Sequence, residues 1–211
     1  RLTPDVADPE RFAELARHVR DLGDVGPTGD LEADQARLAD LLAPHLAAGA
    51  FAIVLGGGHE TSYGHFLARV HAGGGAADAV RVLNWDAHAD VRPLHGDRGH
   101  SGTPFRQMLE HPAHPAARYV VAGLQPHSVA ASHVAWVRAR GAAHLRTDIG
   151  TVQVVDAIYA AERPTLVSFD LDAVDAAHAP GVSAPAIGGL DVATWLRAAY
   201  LAGRTDTVRS A

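Results

Sequence analysis

Short, mainly apolar runs recur along the chain, each about as long as one β-strand. They span residues 51–55, 80–85, 118–122 and 164–170. A continuous apolar run bounded by glycine or polar residues is typical of a strand that is buried on both faces. We therefore predict four strands at these positions.

Around these runs, apolar residues recur at intervals of three to four positions, which predicts helices. One stripe extends from Phe12 to Val19; a second extends from Leu31 to Leu46, with Asp30 as its cap and Gly49 after its end. Further helices are predicted near residues 61–71, 128–140, 152–161 and 191–201. Strands that alternate with helices predict an α/β fold with a mainly parallel sheet, covered by helices on both faces.

Composition narrows the function classes. The 211 residues fit a single domain over residues 1–211, and the absence of cysteine excludes disulfides, a thiol nucleophile and a thiolate metal site. A formal charge of -6 gives no basic field for nucleic acid, and no apolar run reaches the length that spans a membrane. We expect a cytoplasmic protein whose partner is a small molecule, with neither nucleic acid nor membrane as a partner.

Three of the predicted strands end in side chains that bind metal ions. The candidate ligands are His59, Asp86, His88, Asp90, Asp170 and Asp172. Because ligands of parallel sheets bind at the carboxyl ends of the strands, these side chains are expected to meet at one edge. Carboxylates crowded together repel one another unless a cation lies between them, and a set of oxygens with a minority of imidazole suits manganese. Six ligands exceed one tetrahedral site and favour two ions, an arrangement that activates water in hydrolases.

Each motif alone has a plainer interpretation. Asp86-Ala87-His88-Ala89-Asp90 could be a capped turn with a surface histidine, and the glycines before His59 could form only a strand-to-helix turn. Asp-x-Asp after a strand is common. The occurrence of all three at predicted strand ends favours a metal site.

In this order, the motifs resemble those of the ureohydrolase superfamily, which contains arginase, agmatinase and formimidoylglutamase. The signatures are Gly57-Gly58-His59, the segment 86–90, and Ser168–Asp172 followed by Ala179-Pro180-Gly181. Further details are similar to the formimidoylglutamase branch: Gly56-Gly57-Gly58-His59-Glu60, Ser101-Gly102-Thr103-Pro104-Phe105, Gly123-Leu124-Gln125-Pro126, and Asp175-Ala176 where arginases have Asp-Pro.

The resemblance implies a three-layer α/β/α arginase-like fold with two manganese ions per subunit and assembly into a homo-oligomer. One ion would be held by His59, Asp86, Asp90 and Asp170, and the other by Asp86, His88, Asp170 and Asp172. The implied reaction is hydrolysis of N-formimidoyl-L-glutamate to L-glutamate and formamide, a step of histidine degradation.

Other roles follow from the chemistry of that reaction. A proton donor is required, and His100 is the candidate, although relatives have their histidine where Ser101 stands. A substrate with two carboxylates favours arginines, so Arg92 and Arg106 are candidate substrate-binding residues, together with Gln125.

The resemblance also leaves alternatives. Relatives begin with a further strand and continue with a glutamate-bearing segment, so the domain is expected to be incomplete at both ends and to expose apolar sheet edges. Another ureohydrolase acting on a guanidine (agmatine, guanidinobutyrate or arginine), a truncated inactive relative, or a non-catalytic binding module are the competing interpretations.

Overall fold

The computed structural model describes residues 8–73 and 80–211. Its helices are α1 Pro9–His18, α2 Leu31–Ala47, α3 Thr61–Gly73, α4 Pro104–Leu109, α5 Ala131–Arg138, α6 Val152–Tyr159 and α7 Val192–Arg204. Its strands are β1 Arg81–Trp85, β2 Arg118–Leu124, β3 Gly141–Leu145, β4 Thr165–Phe169 and β5 Val208–Ser210. The α/β alternation that the sequence predicts is confirmed.

All strands lie in one parallel sheet with the order β3-β2-β1-β4-β5. β1 occupies the centre, and all of its residues are buried. Trp85 is in register with Phe169 of β4, so the residues that follow them, Asp86 and Asp170, emerge side by side. The Asp170 amide also donates to the Trp85 carbonyl at 2.8 Å, which holds the two strand ends together.

Two hydrophobic cores cover the two faces of the sheet. Because successive side chains of a strand point to opposite faces, Val82 packs with α3, α4 and α5 while Leu83 packs with α6 and α7. α2 packs on the outside of α3 through a smaller cluster around Leu42 and Leu46. The predicted three-layer α/β/α architecture is confirmed.

The prediction that residues 51–55 form a strand buried on both faces is wrong. Only Ala52 makes a bridge, to Ser210, and Phe51, Ile53 and Leu55 are 47%, 70% and 94% exposed. The segment lies beside β5 at the lateral edge of the sheet, where one backbone side has a partner. Its hydrophobic run therefore resembles that of β1 without sharing the neighbours of β1.

Sequence patterns did not predict α4, β3 or β5. β3 carries few large apolar residues, and its placement depends on Gly141, where a Cβ would lie 1.7 Å from the Tyr119 carbonyl oxygen. A close backbone approach of this kind requires glycine. Among the described residues, no helix combines the length and the hydropathy needed to cross a bilayer.

Candidate metal centre

Four of the predicted ligands converge at the carboxyl edge of β1 and β4. Nδ1 of His59 lies 3.1 Å from Oδ2 of Asp86, 3.0 Å from Oδ2 of Asp90 and 3.1 Å from Oδ2 of Asp170. A ring nitrogen carries at most one proton, so it cannot donate to all three oxygens. One imidazole nitrogen and three carboxylate oxygens, all within 4.8 Å of one another, form a donor set that fits a divalent cation.

A second group shares one member with the first. Nδ1 of His88 lies 3.0 Å from Oδ2 of Asp172 and 3.5 Å from Oδ1 of Asp86. Ligand atoms of Asp86, His88 and Asp172 again lie within 4.8 Å of one another. Asp86 therefore has one carboxylate oxygen beside each group. Asp170, expected to bridge both, belongs to the first group at this distance.

Local turns give the motifs their spacing. Oδ1 of Asp86 accepts the His88 amide at 2.6 Å, and Oδ1 of Asp170 accepts the Asp172 amide at 3.0 Å. An aspartate that accepts the amide two residues ahead turns the backbone just after its strand. Asp90 completes its turn in the left-handed region, with φ of 45°. The residues between the three candidate ligands of this motif are buried alanines, Ala87 and Ala89.

Protonation in this cluster is governed by burial and by mutual charge. Burial opposes charge on His59, but contacts with Asp170, Asp86 and Asp90 hold its pKa well above the ordinary value. The hydrogen bond to Asp172, together with Asp86, raises the pKa of His88 to about 10. Burial and the neighbouring carboxylates raise the pKa of Asp90 and Asp172. The negative charge of these carboxylates is thus not fully balanced by the two histidines. Bound cations would supply the missing positive charge.

A chain of hydroxyl groups orients His59. Its Nε2 lies 2.9 Å from Oγ of Ser168, which lies 3.0 Å from Oγ of Ser62 on α3. Phe105 packs edge-on against the same ring at 5.0 Å. These contacts fix the direction of Nδ1. Sequence reasoning missed both serines, although Ser168 stands two positions before Asp170 and strand alternation puts it on the same side.

The buried side-chain amide of Asn84 holds the carboxylate of Asp86 in place. Nδ2 of Asn84 donates to Oδ2 of Asp86 at 2.9 Å and lies 3.2 Å from the Tyr119 hydroxyl, which donates to the Ala89 carbonyl at 2.8 Å. Asn84, Asp86 and Tyr119 are all fully buried. Asn84 was also missed; the signal was a polar residue inside an apolar run, two positions before a ligand.

The other predicted site residues lie in different surroundings. Gly102 separates the side chains of His100 and Arg92, because a Cβ there would be 3.0 Å from Cδ of Arg92 and 3.2 Å from Cε1 of His100. Arg106 is paired with Glu110 at 3.0 Å, and its guanidinium lies over the Trp136 ring at 5.3 Å. Its charge is therefore already in contact with neighbouring side chains.

Gln125 borders the centre through its backbone. Its amide donates to the Ala87 carbonyl at 3.0 Å, and its buried side chain donates to the Gly188 carbonyl at 3.4 Å. Substrate contacts of Gln125, Arg92 and Arg106, and proton transfer by His100, remain predictions.

Comparison with known proteins agrees with this geometry. A formimidoylglutamase of Ralstonia nicotianae is 40% identical over 192 residues, which cover 84% of this chain and 58% of that protein. A formimidoylglutamase of Nocardia farcinica is 40% identical over 188 residues, with the same coverage of 84% and 58%. The chain thus spans less than two thirds of the length of these relatives.

Solved structures give the same result. The Trypanosoma cruzi formiminoglutamase, in a crystal structure with Mn²⁺, superposes with a TM-score of 0.81 at 34% identity, covering 89% of this chain and 64% of that one. The resemblance found in the motifs is therefore confirmed. The sequence profile described as the Arginase family matches residues 6–210. The chain accordingly belongs to the arginase family.

Proposed function

We propose that this protein hydrolyses N-formimidoyl-L-glutamate to L-glutamate and formamide, using two manganese ions. The observation that carries the proposal is the convergence of three carboxylate oxygens on Nδ1 of His59, beside a second group that shares Asp86. The formimidoylglutamase relatives support the substrate, and the T. cruzi structure with Mn²⁺ supports the metal.

The residues would divide between two ions. His59, Asp86, Asp90 and Asp170 would hold the first, and Asp86, His88 and Asp172 the second, with Asp170 completing it. When bound, such a pair supplies an activated water and neutralises negative charge in the transition state. The chain's own contribution is to hold the ligands rigidly, through Ser168 for His59 and Asn84 for Asp86.

The bond changes define what else the chain must provide. A C–O bond forms at the formimidoyl carbon while its C–N bond to the glutamate nitrogen breaks, and that nitrogen must gain a proton before it leaves. His100 is our candidate donor. Its Nδ1 accepts the Gly102 amide at 3.1 Å, so in the neutral ring the proton lies on Nε2, directed away from that turn.

The biological setting is part of the same proposal. We place the reaction in histidine degradation in the cytoplasm, with which the absence of cysteine is compatible. We also propose that the protein self-associates, which light scattering after size exclusion would test.

The experiment is hydrolysis of formimidoylglutamate, agmatine and arginine, each with added manganese and again after chelation. Metal-dependent release of glutamate from the first substrate alone is the expected result. Turnover of only a guanidine would retain the metal site and overturn the substrate. Two tightly bound ions without turnover of any of the three would refute the proposed reaction.

A further inference from the structure

Arg146 lies at the same edge of the sheet as the candidate metal centre, directly after a strand that sequence patterns did not predict. β3 ends at Leu145, and Arg146 opens the 3₁₀ turn Arg146–Asp148 that follows. Because the sheet is parallel, the end of β3 lies on the side where Asp86 and Asp170 follow β1 and β4. The side chain is half-buried at this position.

The guanidinium is anchored to a segment that packs against the metal centre. Nε of Arg146 donates to the Gly189 carbonyl at 3.0 Å. Gly189 packs directly on the chain after Asp172, since a Cβ there would lie 2.8 Å from the Ala173 carbonyl oxygen and 2.5 Å from the Asp175 nitrogen. Arg146 is therefore one hydrogen bond away from backbone that adjoins a candidate ligand.

Gln125 contacts the same segment at the neighbouring residue, Gly188. Its backbone amide is bound to Ala87, between two candidate ligands, and its side-chain amide donates to Gly188. Asp175 fixes this pair of glycines by accepting the Gly188 amide at 2.8 Å and the Gly189 amide at 3.1 Å. Hydrogen bonds thus connect Gln125 and Arg146 to the two glycines, and Gln125 is also bound to the backbone between two candidate ligands.

The charge of Arg146 has no acidic partner within 4.0 Å among the described residues. Arg98, Arg106 and Arg197 each pair with a carboxylate. Within residues 8–73 and 80–211, the one hydrogen bond of the Arg146 side chain is the carbonyl contact through Nε, which leaves both Nη nitrogens available. A half-buried, oriented guanidinium with two unused nitrogens matches the two oxygens of a carboxylate.

We propose that Arg146 binds the side-chain carboxylate of the glutamyl substrate; this rests on the function proposed above. β3 is two strands from β1, or about 10 Å at the usual strand spacing. The formimidoyl carbon and the side-chain carboxyl carbon are five bonds apart, about 6 Å when extended. A charged hydrogen bond adds about 3 Å, so the substrate's reach of about 9 Å is close to that spacing.

The test compares Arg146→Gln with Arg140→Gln, a control arginine that stacks on Trp136 at 3.9 Å. For Arg146→Gln we expect KM for formimidoylglutamate to rise about a hundredfold, with little change in kcat. The analogue N-propylformamidine, which keeps the amidine and lacks both carboxylates, should be hydrolysed equally by both variants and by wild type. Arg146→Lys, which keeps the charge and loses the fork, should be intermediate.

A binding measurement separates this proposal from the proposed reaction. Calorimetry with glutarate, which carries two carboxylates and no amidine, should show affinity in wild type that falls at least tenfold in Arg146→Gln. Equal loss of turnover on the analogue, or unchanged glutarate affinity, would overturn the role of Arg146. Failure of wild type to hydrolyse formimidoylglutamate, with glutarate binding still dependent on Arg146, would overturn the reaction and leave the carboxylate site standing.

Discussion

Two apolar runs of equal length, β1 and residues 51–55, have opposite fates in this fold. β1 has a parallel strand on each side and a helical layer on each face, and every residue in it is buried. Residues 51–55 have a backbone partner on one side, formed by Ser210 and Ala211, and Leu55 is 94% exposed. Both runs nevertheless lead into candidate metal ligands, Asp86 and His59.

The difference teaches that the two ligands are positioned in different ways. Asp86 is placed by the register of its strand and by the amide of Asn84. His59 receives little from its preceding segment and is placed by side chains instead, Ser168 and Phe105 above all. The centre of the sheet is therefore expected to be sensitive to substitution, and its lateral edge tolerant.

The largest effect is expected at Asp86, the ligand that both groups share. Asp86→Asn should lower kcat/KM at least about a thousandfold, because one carboxylate oxygen would serve each proposed ion. Metal content measured by elemental analysis should fall from two ions per chain. Asp40→Asn, at an exposed aspartate, is the control and should retain both ions. Full metal content in Asp86→Asn would remove Asp86 from the ligand set.

The second prediction compares a leucine in β1, Leu83, with a leucine in residues 51–55, Leu55. Leu83→Ala in β1 should lower the free energy of unfolding by about 2–5 kcal/mol, because it removes a fully buried side chain. Leu55→Ala should change it by less than about 0.5 kcal/mol. Urea denaturation of both variants measures the contrast directly. A cost at Leu55 equal to that at Leu83 would mean that the edge is covered in solution.

The third prediction concerns the pH dependence of stability, at a buried residue of α3. This helix lies between residues 51–55 and β1 along the chain. Burial, with Arg69 nearby, lowers the pKa of His65 from 6.5 to about 4. As pH falls below 6.5, His65 becomes protonated in the unfolded chain but stays neutral in the folded chain until the pH approaches 4. The folded state therefore becomes less stable as the pH falls. The loss attributable to His65 is about 2 kcal/mol between pH 7 and pH 5.

His65→Gln removes this titration. Urea unfolding at pH 7 and at pH 5 should show a smaller pH effect in the variant than in wild type. Identical pH effects in the two proteins would mean that His65 is accessible to protons in the folded state.

The last prediction concerns the hydroxyl groups that place His59. Ser168→Ala should weaken manganese binding about ten- to a hundredfold, and Ser62→Ala by less, since Ser62 acts through Ser168. Equilibrium dialysis measures both, and Ser101→Ala, at an exposed serine, should bind as wild type does. Wild-type affinity in Ser168→Ala would show that His59 is held by packing alone.

The sequence was most informative where metal-binding side chains directly follow a buried apolar run. Asp86 and Asp170 could be located because each follows a buried run, and parallel strands bring their carboxyl ends to one edge. His59 was included for the right motif, although its strand assignment was wrong.

What the sequence could not supply was the order of the strands. Nothing local to Arg146 shows that β3 lies beside β2, because that placement depends on the missing side chain of Gly141 and on contacts distant along the chain. Arg106 was proposed by proximity in sequence to the motifs, yet the fold engages it with Glu110 and Trp136.

The hydrogen bond between His59 and Ser168 joins residues that are 109 positions apart. Closing so long a segment costs conformational entropy before any contact offsets it, and chains rich in distant contacts fold slowly. The constellation therefore assembles only once β1 and β4 have paired. Ions that bind it will recognise the native state alone, and they will act chiefly by slowing unfolding rather than by guiding the chain to its fold.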